Sequence, residues 1–272
     1  YKHHKDFIKS KFFDDSKLNY AENCLINNNN NEAIIAYSEN KVKKVYSWKR
    51  LREHVFKLSY FLKSKNINKG DRVAAILPNF SETVVSFLAT AQIGAIWSSC
   101  SPDFGKQAII DRFDQIKPKL LIITDYYYYN KKKIITTSII PEIIEKIPSI
   151  RHVIVIPYEK NKCELENKFL YTEWSKIIKS NFYYDKFIKY PFNHPLYILY
   201  SSGTTGVPKC IVHGAGGSLI QHKKEHQIHC NINENDRVFY FTTCGWMMWN
   251  WLVSSLASKA TIILYDGSPF IP

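Results

Sequence analysis

Residues 197–209 read Tyr-Ile-Leu-Tyr-Ser-Ser-Gly-Thr-Thr-Gly-Val-Pro-Lys. The first four are apolar and β-prone, which predicts a short strand. The rest has the opposite character. Ser201, Ser202, Thr204 and Thr205 supply four hydroxyls, and Gly203 and Gly206 let the backbone turn sharply and approach an anion closely. Exposed N–H groups in such a loop form an anion nest, and Lys209 adds a fixed positive charge beyond the stiffening Pro208. Together they predict a nucleotide-phosphate loop built from Ser201, Ser202, Gly203, Thr204, Thr205, Gly206 and Lys209. It is not a Walker A loop, because Val207 and Pro208 separate Gly206 from Lys209. The competing assignment is an ordinary Ser/Gly/Thr surface loop. Ten defined positions directly after an apolar strand make the phosphate assignment the more specific one.

Outward from this loop, helical and strand-like patterns alternate. Ser47 is placed to cap a helix in which Leu51, Val55, Leu58 and Leu62 recur at helical spacing. Residues 68–71 form a turn in which Gly70 is free to take positive φ, and residues 72–77 form a short apolar strand. Asn79 and Glu82 are spaced as a capping box for a helix that buries Val84, Val85, Leu88 and Ala91 and ends at Gly94. Residues 95–99, 119–124 and 152–156 read as strands, and residues 107–116 as a helix stopped before Pro118. This order predicts an α/β fold made of βα units around a largely parallel sheet. The five asparagines at 27–31 predict a flexible surface insert, and residues 159–191 an irregular surface run. Residues 126–138, with four tyrosines and three lysines, predict a solvated loop. Residues 237–243 read as a strand, turning at Cys244-Gly245-Trp246 into an aromatic, Met-containing segment.

The 272 residues permit one large domain or two small ones. Charge is 37 basic less 24 acidic, or +13, which attracts anions such as nucleic acid or a polyphosphate. An AT-rich coding bias accounts for the same excess, since Lys, Asn, Ile, Tyr and Phe are all abundant. The lysines form no stripe, and no zinc finger, RNP-like or basic heptad pattern occurs, so no nucleic-acid partner is expected. Six cysteines without a C-x-x-C pair are too few for a disulfide scaffold and predict reduced thiols in the cytosol. No apolar run approaches the ~20 residues of a membrane helix. Asn79-Phe80-Ser81 matches a glycosylation triplet, a common chance occurrence. His222-Lys223-Lys224-Glu225-His226 matches a zinc-protease pattern, but two lysines sit inside it and no third ligand is evident. The chain starts at Tyr1 rather than Met and stops after a strand-like run and a turn, so it is expected to be part of a longer protein.

The loop at 200–209 resembles the signature of the adenylate-forming superfamily. Within it, Leu18-Asn19-Tyr20-Ala21-Glu22-Asn23, residues 94–105, residues 213–226 and Gly245-Trp246-Met247-Met248-Trp249-Asn250-Trp251 are similar to the acetoacetyl-CoA synthetases. The resemblance runs over nearly the whole chain and is weakest at residues 27–31, 126–138 and 159–190. It implies layered sheets flanked by helices, as in the large N-terminal AMP-binding domain of these enzymes, incompletely present. One subdomain would take residues from about 54–225, and a second would combine about 31–50 with 230–272. It implies activation of acetoacetate by ATP to an acyl-adenylate, with Mg²⁺ on the phosphates, followed by transfer to CoA. Thr242, Thr243, Gly245, Trp246, Met247 and Asn250 would shape a small acyl pocket, with donors for the ketone oxygen. Trp251 and Leu252 read better as core. Lys131, Lys132 and Lys133 would reach a CoA phosphate, or form a solvated charged loop. Acetate, propionate or another short acid is the alternative substrate. The adenine and ribose motifs, the catalytic lysine and a rotating C-terminal domain would lie beyond Pro272, so the isolated chain is expected to be inactive.

Overall fold

The computed structural model describes residues 1–159, 163, 170–201, 206 and 208–270. Among the described residues, the strands in chain order are β1 (Lys17–Leu18), β2 (Glu32–Ser38), β3 (Lys43–Ser47), β4 (Arg72–Ile76), β5 (Ile96–Cys100), β6 (Leu120–Thr124), β7 (Tyr126–Tyr129) and β8 (Lys132–Ile135). They continue with β9 (His152–Ile156), β10 (Thr172–Glu173), β11 (Tyr190–Pro191), β12 (Pro195–Tyr200), β13 (Cys210–Gly214), β14 (Arg237–Phe239) and β15 (Thr261–Asp266). The α-helices are α1 (Tyr20–Cys24), α2 (Trp48–Ser64), α3 (Ser81–Gln92), α4 (Lys106–Ile116), α5 (Ile140–Lys146), α6 (Trp174–Ile178), α7 (Ala215–Lys224) and α8 (Met247–Ser254).

Two sheets carry the α/β fold. The larger has the order β10-β9-β6-β4-β5-β12-β13, parallel throughout except for the β12–β13 hairpin that holds the glycine-rich loop. The smaller has the order β14-β15-β2-β3, with only β2–β3 antiparallel. Its strands come from both sides, in sequence, of the segment that builds the larger sheet.

Strand residues point alternately to opposite faces, and β4 shows what each face meets. Ala74 and Ile76, with Leu121, Ile123, Val153 and Val155, pack against Ile109 and Phe113 of α4 and Ile140 and Ile143 of α5. Val73 and Ala75 face the other way, into a core shared with α2, α3 and the inner face of the smaller sheet at Ile34, Ile262 and Leu264. The molecule is therefore layered: α4 and α5, large sheet, central helices, small sheet. All twelve residues of α3 are buried. Two of its hydroxyls bond back within the helix, Ser86 Oγ donating to Glu82 O at 2.7 Å and Thr90 Oγ1 to Ser86 O at 2.8 Å, and Thr83 Oγ1 donates to Pro78 O at 2.7 Å.

Several local expectations hold. Ser47 Oγ accepts from Arg50 N at 3.2 Å and caps α2, whose Leu51, Val55, Leu58 and Leu62 are fully buried. Gly70 and Gly94 take φ of +84° and +72°. Asn28, Asn29, Asn30 and Asn31 are exposed.

Three expectations are corrected. Residues 126–138 are not a solvated loop. They form the hairpin β7–β8, closed by Asn130 and Lys131 at positive φ, and Tyr126 and Tyr127 are buried against Tyr158. Burial falls along the tyrosine run, from Tyr126 and Tyr127 inside to an exposed Tyr129 at the hairpin tip, which a count of polar atoms hides. Asn79 does not cap α3; the N-cap is Phe80, with no side-chain cap bond. The strand at 237–243 ends at Phe239, and the chain then leaves the sheet. No described helix is long and apolar enough to cross a membrane.

Candidate nucleotide and acid site

In open parallel sheets, ligands collect outside the carboxyl ends of the strands, where the winding reverses. Here β4 leads through α3 to β5, and β5 leads back through α4 to β6 on the far side of β4. A cleft lies at this reversal. It encloses about 380 Å³, part of it open to solvent. Asn79 after β4, Ser101 and Asp103 after β5, Thr242 and Thr243 after β14, and Asp266 at the end of β15 line it, with Tyr127 and Tyr129 of the hairpin. Both sheets thus present their carboxyl ends to one space.

The glycine-rich loop leaves β12, the neighbour of β5 in the large sheet. Its neck is closed by two reciprocal bonds: Ser201 N donates to Lys209 O at 3.0 Å, and Lys209 N to Ser201 Oγ at 3.3 Å. Gln115 of α4 braces the exit, its Nε2 donating to Pro208 O at 2.9 Å. The Arg112 guanidinium lies 4.8 Å from the Phe104 ring centre and 5.7 Å from that of Tyr200. Phe104 in turn packs on Gly245, where an added Cβ would come within 3.1 Å of its ring. A continuous set of contacts therefore runs from the start of the loop to the aromatic segment. Gly206 has φ of +134° and, with Lys209, is exposed. Ser202, Gly203, Thr204 and Thr205 lie outside the described residues.

The segment at 242–250 divides. Thr242 and Thr243 line the cleft. Trp246 and Met247 stand exposed at the start of α8, outside the cleft lining. Asn250 is buried, its Nδ2 donating to Trp246 O at 3.4 Å while its Oδ1 has no partner. Trp249 and Leu252 are fully buried and belong to the core. Lys131 and Lys132 are exposed at the hairpin turn, and Lys133 Nζ sits 3.9 Å above the Tyr126 ring.

Two residues at the cleft were not assigned to the site in the sequence. Asp266 is half-buried, and the Tyr158 hydroxyl donates to it at 2.6 Å. Burial, with Glu39 and Asp103 nearby, raises its carboxyl to about 7. Asn79 is 3% exposed, so the Asn79-Phe80-Ser81 triplet is not displayed at the surface. Asp266 ends an apolar strand, and Asn79 lies three residues beyond one. A polar residue at that point of a parallel sheet is the signal that identifies both.

The His222/His226 pattern has a different use. His222 Nδ1 lies 2.8 Å from Ser254 Oγ and His226 Nε2 lies 3.1 Å from Trp251 O, so both rings hold α7 and the π-turn after it against α8. Glu225 turns away and accepts from Gln221 Nε2 at 2.8 Å. Among the described residues, no three His, Cys, Asp or Glu side chains converge as a metal set.

A reversed-winding cleft beside a glycine- and hydroxyl-rich loop is the arrangement of a nucleotide-using enzyme. Residues 25–272 match the family described as AMP-binding enzyme, and the chain belongs to that family. It is 47% identical over 271 residues to the acetoacetyl-coenzyme A synthetase of Rhizobium meliloti (strain 1021), covering 97% of this chain and 41% of that protein. It is 41% identical over 280 residues to the malonamoyl-CoA synthetase vrtB of Penicillium aethiopicum, covering 95% of this chain and 38% of that one. Among solved structures, the acetoacetyl-CoA synthetase from Streptomyces lividans superposes with a TM-score of 0.88 at 39% identity, over 94% of this chain and 39% of that one. The chain spans about two fifths of the length of the relatives it matches.

Proposed function

We propose that the protein activates acetoacetate with ATP and passes the acyl group to CoA. The carboxylate attacks the α-phosphate, pyrophosphate leaves, and the CoA thiol then displaces AMP from the mixed anhydride. The observation that carries this assignment is the braced loop neck at Ser201 and Lys209, set on the strand next to a small cleft lined by Thr242 and Thr243. The main obstacle in the first step is one anion approaching another. Lys209, the hydroxyls of Ser201, Ser202, Thr204 and Thr205, and the N–H groups at Gly203 and Gly206 would hold and neutralise the phosphates. Mg²⁺ would be held chiefly through those phosphates and would spread the charge that develops on them.

Thr242, Thr243, Asn250 and the Trp246 indole N–H are the donors assigned to the acid's ketone oxygen, with Gly245 beside them and Met247 in the apolar wall. Acetoacetate and malonamate share a carbonyl two carbons from the carboxylate, and both occur in the names of similar proteins. Lys131, Lys132 and Lys133 are assigned to the CoA phosphates; the exposure of Lys131 and Lys132 supports this. Residues from about 54 to 225 are assigned to one subdomain, and about 31–50 with 230–272 to a second. The six free cysteines fit work in the cytosol.

The test is formation of AMP and acyl-CoA by the intact protein with acetoacetate, malonamate, acetate and butyrate, each with and without CoA. Acetoacetate should give the highest kcat/KM, and the thioester should form only with CoA present. Preference for acetate would overturn the acid assignment. AMP release without any thioester would overturn the acceptor.

A further inference from the structure

Four buried side chains fasten the segment that carries Thr242 and Thr243 to the strand ends of the large sheet. Asn79 Nδ2 donates to the backbone carbonyls of Thr242 at 3.2 Å and Tyr265 at 3.3 Å, and Asn79 Oδ1 accepts from Trp249 Nε1 at 2.9 Å. Ser99 Oγ donates to Cys244 O at 2.6 Å, and Cys244 Sγ donates to Leu77 O at 3.0 Å. All four residues are 3% exposed or less. Asn79 alone reaches three separate elements: the segment after β14, the end of β15 and helix α8. It also lines the cleft.

The segment 240–246 has no ladder of its own, because β14 stops at Phe239. The carbonyls of Thr243 and Trp246 accept from the backbone N–H groups of Trp246 and Trp249, whereas those of Thr242 and Cys244 are held by the side-chain donors Asn79 and Ser99. A planar amide with two directed donors and one acceptor fixes distance and rotation together, which a hydroxyl cannot do.

We infer that Asn79 is a positioning residue for the acid site: it sets where Thr242 and Thr243 meet the substrate, and so governs use of the acid more than use of ATP. The inference rests on the acid-site assignment under Proposed function. The glycine-rich loop hangs from a different pair of strands, with its own brace at Gln115, so the phosphate half of the site does not depend on Asn79.

The experiment compares Asn79→Ala, Asn79→Asp and Trp249→Phe with the wild type, measuring KM for acetoacetate, KM for ATP and the urea unfolding midpoint. Asn79→Asp keeps the acceptor for Trp249 and loses both donors. Trp249→Phe removes the bond to Oδ1 and leaves both donors in place. Both Asn79 variants should raise KM for acetoacetate about tenfold, with KM for ATP changed less than about twofold, as expected when a contact wall shifts by a fraction of an ångström. Trp249→Phe should lower the unfolding midpoint while leaving KM for acetoacetate within about twofold of wild type. Should the Asn79 variants fail to fold, Ser99→Ala loosens the same segment at Cys244 and should raise KM for acetoacetate selectively. Equal effects of the Asn79 variants on both KM values, or a KM effect of Trp249→Phe as large as theirs, overturns the inference. A wild-type protein that does not use acetoacetate overturns the acid assignment instead, so the two failures are distinct.

Discussion

Lowering the pH through the histidine range should unfold this protein at a rate that the structure sets. Burial pushes three imidazoles, His54, His222 and His226, down to about 4 from an ordinary 6.5. His54 packs edge-on against Tyr46, with Arg50 adding to the effect, and the other two face α8. Between about pH 6.5 and pH 4 the unfolded chain binds a proton on each ring and the folded protein does not. Stability from these groups is fully present above 6.5 and is lost as pH falls toward 4. Asp266 acts in the opposite direction. Its carboxyl, raised to about 7 from 3.8, is protonated in the folded protein across the same window and ionised in the unfolded chain. Three imidazoles less one carboxyl leaves an uptake of about two protons on unfolding, or about 2 to 3 kcal/mol of stability lost per pH unit. His152, His194 and His213 are also lowered by burial and add in the same direction. Urea unfolding at closely spaced pH values gives the slope directly. Asp266→Asn removes the opposing group and should steepen the slope to about three protons, or about 4 kcal/mol per pH unit. A flat profile across this window, or a shallower slope in Asp266→Asn, would refute the assignment of neutral buried imidazoles opposed by one protonated carboxyl.

Two further outcomes are expected. Gly94→Ala places a side chain at φ of +72° and brings its Cβ within 2.4 Å of the Tyr190 ring, so it should cost about 2 to 5 kcal/mol in urea unfolding. A loss below about 0.5 kcal/mol would show that Tyr190 moves aside freely. Dialysed protein analysed for zinc should hold far less than one ion per chain, because His222 and His226 each use a ring nitrogen within the fold and Glu225 faces away. One tightly held zinc per chain would reopen the protease alternative.

The fold was legible wherever a residue's neighbours in sequence also decide its environment. The leucines of α2 at helical spacing and the β-branched runs of β6 and β9 needed no tertiary information. The hairpin at 126–135 did need it. Four tyrosines look wet until Tyr158 is known to pack against Tyr126 and Tyr127. Asn79 misled for a related reason. Asn before a helix is a good cap, but three partners 163 to 186 residues away compete for its amide and win. The phosphate-loop assignment needed no tertiary information, because the chemistry it rests on is local to residues 201–209. The cleft was only half legible, since its walls come from four strand ends brought together by two sheets.

The covered helix α3 has a consequence for how such a cleft can change. It is the spacer between the two sheets, and its Ser81, Thr83, Ser86, Ala89, Thr90 and Ala91 are small. Interiors are close-packed, so an extra methylene there has nowhere to go except into the gap between the layers. The side-chain volumes along α3 then work as a shim. They set how wide the mouth between the strand ends stands open, without touching anything that enters it. Sequence drift confined to this dry layer would retune the width of the cleft while every residue that lines it stays the same.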